Sequence, residues 1–173
     1  EEEIVCVAFL KAREKVRDLA LILAPRHPKR APEVAALLAA RGIGFLRRTE
    51  LSPSSPTQPV LLLDTVGELS GLFALASAAF VGGTLKPFGG HNLLEPLPFL
   101  VPVWFGPGHA AQKESAKLIV DHGCGRMVGD AGELADFIAE VAVDGPHAEE
   151  YRRNIRVFLA LADVSLKANL DLI

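Results

Sequence analysis

The stretch "VLLLDTVGELSGLFALASAAFVGG", Val60 to Gly83, decides the fold. It opens with a short continuous apolar run, "VLLLD", of the kind that forms a strand covered on both faces. The middle, "GELSGLFALAS", has helical spacing, and "AAFVGG" is again strand-like and ends in two glycines. Two strands joined by a helix are forced to run parallel, because only a crossover of that length returns the chain to the same edge of a sheet.

The same alternation extends in both directions. Upstream, residues 2 to 17 carry Ile4, Val5, Ala8, Leu10 and Ala12 among charges, an amphipathic helix pattern. "LALILAP" is a strand buried on both faces, and "PEVAALLAARG" a helix with Pro32 in its first turn and Gly42 past its end. "IGFLRR" is a strand, followed by the Ser/Pro-rich loop 49–59. Downstream, "NLLEPLPFL" predicts a short helix, "PVWFG" a strand, "QKESAKLIVDHG" a helix and "GRMV" a weak strand. "AGELADFIAEVAV" (131–143) and "AEEYRRNIRVFLALADVSLKANLDL" (148–172) predict the closing helices. The fold expected is α/β, a Rossmann-like, doubly wound parallel sheet of roughly six strands.

Composition narrows the function. Half of the 173 residues are apolar and 23% charged, so a packed core is expected. A net charge of -3 provides no general polyanion-binding surface, and nucleic acid is not an expected partner. Cys6 and Cys124 lack any ligand spacing and read as buried thiols in a reducing compartment. No apolar run approaches the length that spans a bilayer, and "EEEIVCVAFLKAREK" lacks the basic start of a signal peptide. That beginning falls inside a helix pattern, as if the chain were cut from something longer. No Gly-x-Ser-x-Gly, Walker or Gly-x-Gly-x-x-Gly element is present. The five histidines sit on separate segments, so neither a metal site nor a cofactor is expected.

Ligands of doubly wound sheets bind outside the carboxyl ends of the strands. That rule selects Pro25-Arg26-His27-Pro28, Asp64 to Glu68, Gly82 to Glu95 and Gly106 to His109. In "GGHNLLEP", Gly89 and Gly90 permit close backbone approach, and a following helix N-terminus would hold a phosphate. Asn92 and Glu95 share one face, so the carboxylate could bind ribose hydroxyls. Equally, Asn-x-x-Glu is a capping box, although a box leaves Gly82, Gly83, Gly89, Gly90 and His91 unexplained. Arg26 and His27 could meet a phosphate or a base, whereas Lys29 and Arg30 read as a solvated turn. "LDTVGELS" is either a capped helix start or a pair of amides, Val66 and Gly67, offered to a base edge. His122 and His147 read as surface residues, and His109 has no assigned role.

"LILAPRHPKR", "LLLDTVGELSGLFALASAAFVGGTLKPFGGHNLLEP" and "PVWFGP" together resemble the C-terminal domain of 3-deoxy-D-manno-octulosonic acid (Kdo) transferases, glycosyltransferases of the GT-B architecture. The similarity runs in order across nearly the whole chain. It implies a donor-binding domain for CMP-Kdo, in an enzyme that transfers Kdo with inversion and without a catalytic metal. The acceptor would be a lipid A precursor at the cytoplasmic face of the bacterial inner membrane. By motif, Pro25 and Arg26 would contact CMP, Val66, Gly67 and Glu68 would line it, and Asn92, Leu93, Leu94 and Glu95 would hold phosphate and ribose. His27, Gly89, Gly90 and His91 are further candidates. The family's general base is a glutamate of the N-terminal domain, so no catalytic residue is expected here and residues 1–173 alone should be soluble and inactive. The first strand of the domain, a Ser-Thr-His element and the N-terminal domain that would be its partner are expected to lie outside this chain. Leu63 stands where the family usually has Gly, and Ala111-Gln112 where it usually has Asn-Phe. Two rival readings remain: a transferase domain for another sugar nucleotide, and a non-catalytic Rossmann-like module that binds a nucleotide or a protein.

Overall fold

The computed structural model describes residues 1–142 and 145–170. The helices are α1 Glu2–Lys15, α2 Ala31–Ala40, α3 Leu69–Leu72, α4 Lys113–Asp121, α5 Ala131–Ala142 and α6 Pro146–Leu170. The strands are β1 Leu21–Leu23, β2 Phe45–Arg47, β3 Val60–Leu62, β4 Ala79–Val81, β5 Val103–Phe105 and β6 Gly125–Met127. All pairing is parallel, as the crossover argument requires. The strands form two sheets of three, ordered β1-β3-β2 and β4-β5-β6. The expected ends of the last two helices, at 143 and 172, fall outside the described residues.

Three apolar clusters hold the layers together. Cys6, Phe9, Val34 and Leu38 cover β1 and β3. Trp104 of β5 packs with Ala8 and Ala12 of α1 and Leu134 and Ala135 of α5. Phe105, Ile119 and Ile155 close over the other side of β5, together with Leu93 and Leu97 from the loop that follows β4. These two leucines are fully buried, and each such side chain stabilises by roughly 1.5–3 kcal/mol. They anchor the polar loop around them to the core.

Three local expectations are corrected. The "GELSGLFALAS" helix shrinks to α3 and a 3-10 turn, Phe73–Leu75, neither of which buries a residue. Without an apolar face against the core, and with Gly71 inside it, the segment gains little from helical continuity. The "NLLEPLPFL" helix is a run of turns ending in a 3-10 turn, Leu97–Phe99. Pro96 lacks an N–H and pushes Glu95 away from helical angles, and Pro98 repeats the effect two residues on. "LALILAP" is covered less than expected: Leu21 and Ile22 are half-buried, because β1 is an outer strand of its sheet.

Candidate functional site

At the end of β4 the ladder with β5 is interrupted by a hydroxyl. Ala79 N–H donates to Pro102 O at 3.0 Å, so continued register would bring Gly106 N–H to Val81 O. Instead Thr84, fully buried, donates Oγ1–H to Val81 O at 2.7 Å and accepts Gly106 N–H at 2.8 Å. The inserted hydroxyl spreads the two strands where they end and starts the loop that fills the gap. A Cβ on Gly106 would lie 2.4 Å from Thr84 O, so only glycine fits there.

The loop is then stapled to itself and to the next one. Gly90 N–H donates to Gly83 O at 2.8 Å, His91 N–H to Gly82 O at 3.3 Å, and Ala111 N–H to Gly89 O at 3.0 Å. Gly90 has φ 85°, and its missing Cβ leaves room for the Thr84 methyl group. Glycine crowding in this stretch therefore has an internal cause, since the backbone that comes close to it is its own.

Arg26 and His91 are brought together from the ends of β1 and β4. The Arg26 guanidinium donates to His91 Nδ1. Pro25 is buried, whereas Arg26 and His27 are exposed. Burial holds His91 below the usual imidazole range, with the positive charge of Arg26 and His27 acting the same way and Glu1 and Glu95 opposing. Glu1 itself reaches the loop from the start of α1, accepting the N–H groups of Gly83 and, at 2.8 Å, Lys86.

The remaining candidates divide. Asn92 and Glu95 are exposed, and Asn92 Oδ1 accepts Leu94 N–H at 3.1 Å, an Asx turn in place of a capping box. With no helix beginning there, the expected helix-end phosphate site is absent, and the Leu94 N–H is already taken by Asn92. Leu93 is fully buried, backbone included, so the structure does not bear out a direct ligand contact there, and Leu94 packs partly against the same cluster. Val66 is 84% exposed, and Gly67 turns beside it at φ 86°. Glu68 is held below the usual carboxylate range by its bond from Thr65, and it pairs with Arg48 at 2.7 Å. Asp64 also lies low: burial pushes it up, but two bonds from Thr49, at 3.0 and 2.7 Å, prevail. The Val66–Glu68 turn is thus tied to the β2–β3 connection, with no bond to the glycine loop among the described residues.

Arg30 is exposed in the Pro28–Arg30 turn, as expected of a solvated residue, but it is also paired. It bridges Glu2 of α1 and, at 3.3 Å, Glu33 of α2. His109 donates Nδ1–H to Gly106 O at 2.9 Å with its ring edge-on to Phe105, and so braces its own loop. His122 donates to Leu118 O and His147 lies 3.4 Å from Glu140. Among the described residues no group of three His, Cys, Asp or Glu side chains is placed to hold a metal ion. Sequence reasoning missed Thr84 and Glu1. A Gly-Gly-Thr directly after a strand is a usable signal for the first, whereas nothing in the sequence marks Glu1.

No protein-family model matches the chain. Among curated proteins, the 3-deoxy-D-manno-octulosonic acid transferase of Haemophilus influenzae is 44% identical over 107 residues, 61% of this chain and 25% of that protein. The enzymes of that name from Bordetella pertussis and Aquifex aeolicus are 32% and 33% identical. Their matches cover 87% and 82% of this chain, and 36% and 38% of theirs. The chain thus spans a quarter to somewhat over a third of these relatives, the matched shares running from 25% to 38%. Among solved structures, the C-terminal CMP-Kdo binding domain of WaaA from Acinetobacter baumannii superposes with a TM-score of 0.83 at 28% identity, covering 91% of this chain and 82% of that one. In sequence and in fold alike, the chain resembles the C-terminal domain of the 3-deoxy-D-manno-octulosonic acid transferases.

Proposed function

We propose that the chain is the donor-binding domain of a glycosyltransferase that moves Kdo from CMP-Kdo to a lipid A precursor in lipopolysaccharide synthesis. The observation that carries this reading is the superposition on a domain described as binding CMP-Kdo, over 91% of the chain. The site geometry supports it: Arg26 is exposed at the end of β1, beside a loop held by its own backbone bonds. In this reading Arg26 supplies charge-assisted bonds to the phosphate, and the exposed Asn92 adds to them. The exposed Glu95 carboxylate accepts ribose hydroxyls, and the Val66–Gly67 amides meet the base. Leu93 and Pro25, being buried, contribute only the shape of the loops that carry their neighbours. The general base and the acceptor site belong to a partner domain, the membrane face being that of the whole enzyme.

The test is a calorimetric titration of the 173-residue chain with CMP, UMP and GMP, with and without EDTA. CMP should bind tightest, with the same affinity in chelator. Equal affinity for the three nucleotides, or no binding, refutes the assignment, and a large loss in EDTA refutes its metal independence.

A further inference from the structure

Arg26 and His91 are 65 positions apart in the chain, yet joined side chain to side chain across the ends of β1 and β4. A guanidinium has donors only and does not give up its proton. The ring nitrogen it meets, Nδ1, must therefore be an acceptor, which leaves the imidazole neutral with its single proton on Nε2. That nitrogen lies 3.5 Å from where a Cβ on Gly83 would sit, over the glycine turn at the end of β4. His91 is half-buried, and the charged and titratable groups around it are Arg26, His27, Glu1 and Glu95. The cations and burial oppose a second proton and the carboxylates favour one, the balance keeping the ring neutral.

We infer that His91 is a ligand-contact residue that works as a fixed neutral Nε2–H donor, and that Arg26 is the positioning residue that sets this tautomer while its other N–H groups remain for the ligand. The acceptor is an anionic oxygen of the bound nucleotide, so this rests on the proposed function. A neutral donor has one use that a cation lacks: it binds the phosphate without adding a charge whose strength changes with pH.

Two measurements test it. The first needs no ligand: nitrogen NMR of the histidine rings at pH 7 should show His91 with Nε2 protonated and Nδ1 bare. In Arg26→Met the ring should lose this single tautomer and take up its second proton at higher pH. An Nδ1–H tautomer, or a doubly protonated ring at pH 7 in the wild type, overturns the inference. The second is CMP affinity. His91→Phe should weaken CMP about ten- to a hundredfold, the usual effect of a bond to a charged group, and His91→Gln, whose amide can replace the Nε2–H, should recover most of it. The ratio of Arg26→Met affinity to that of Arg26→Met/His91→Gln should rise as pH falls from about 8 to 5.5, because an unlocked His91 then gains charge. CMP binding that ignores His91→Phe overturns this inference alone. Absence of CMP binding by the wild type overturns the reading of the domain, and the assigned ligand of His91 with it.

Discussion

Replacing Thr84 by valine keeps the volume of a fully buried side chain and removes only the hydroxyl. In the native structure that hydroxyl completes two bonds, to Val81 O and from Gly106 N–H, at 2.7 and 2.8 Å. Each partner left buried without a bond costs about 1–3 kcal/mol, and partial closing of the strands onto each other recovers some of it. The expected loss is about 2–4 kcal/mol, which for a chain of this length lowers the melting temperature by roughly 5 to 12 °C. Thr84→Ser keeps both bonds and loses only the methyl packed beside Gly90, so it should cost about 1 kcal/mol. Urea unfolding of the two variants separates the terms. Since the loop after β4 is hung from this hydroxyl, Thr84→Val should also weaken CMP severalfold, and Thr84→Ser should not. Stability of Thr84→Val within about 0.5 kcal/mol of wild type would mean that the strands close and pair directly, and that the hydroxyl does not hold the crevice open.

Arg26→Ala should weaken CMP about ten- to a hundredfold while changing unfolding free energy by less than about 1 kcal/mol, because an exposed charge contributes little to folding. Lys29→Ala is the matched control, since Arg30 is engaged with Glu2 and Glu33; loss of CMP affinity in Lys29→Ala but not in Arg26→Ala would move the site away from the "PRH" turn. Glu95→Gln should weaken CMP more than deoxycytidine monophosphate, if the carboxylate serves ribose hydroxyls. Equal losses for both nucleotides would return Glu95 to a structural role.

Much of this molecule was legible in its sequence because the signals were local. Apolar runs such as "VLLLD", separated by helix-length segments, dictate parallel strands whatever lies beyond them, and the six strands are found where those runs occur. Cys6 and Cys124, read as buried thiols because they lack any ligand spacing, are both buried, and for Cys124 burial alone pushes the thiol up to about 11. Gly42 past the end of α2 and Pro32 inside its start worked as predicted, since backbone angles at such positions depend on the residue itself. Where local signals competed, the reading failed. In "NLLEPLPFL" the apolar spacing suggested a helix, but Pro96 and Pro98 act on the backbone directly and left turns that leucine burial then fixed.

The site depended on contacts that no spacing encodes. Arg26 could be placed at a strand end from sequence, but its bond to His91 exists only because β1 and β4 end near each other, and the tautomer of His91 follows from that proximity. The pairing of the exposed Arg30 was not legible, because its partner, Glu2, is 28 positions away on α1. The glycines after β4 announced close backbone approach, and the sequence alone could not say by what. The fold answers that Thr84 and the loop's own carbonyls fill the space, because a parallel ladder that ends in a hydroxyl needs backbone without side chains to close around it.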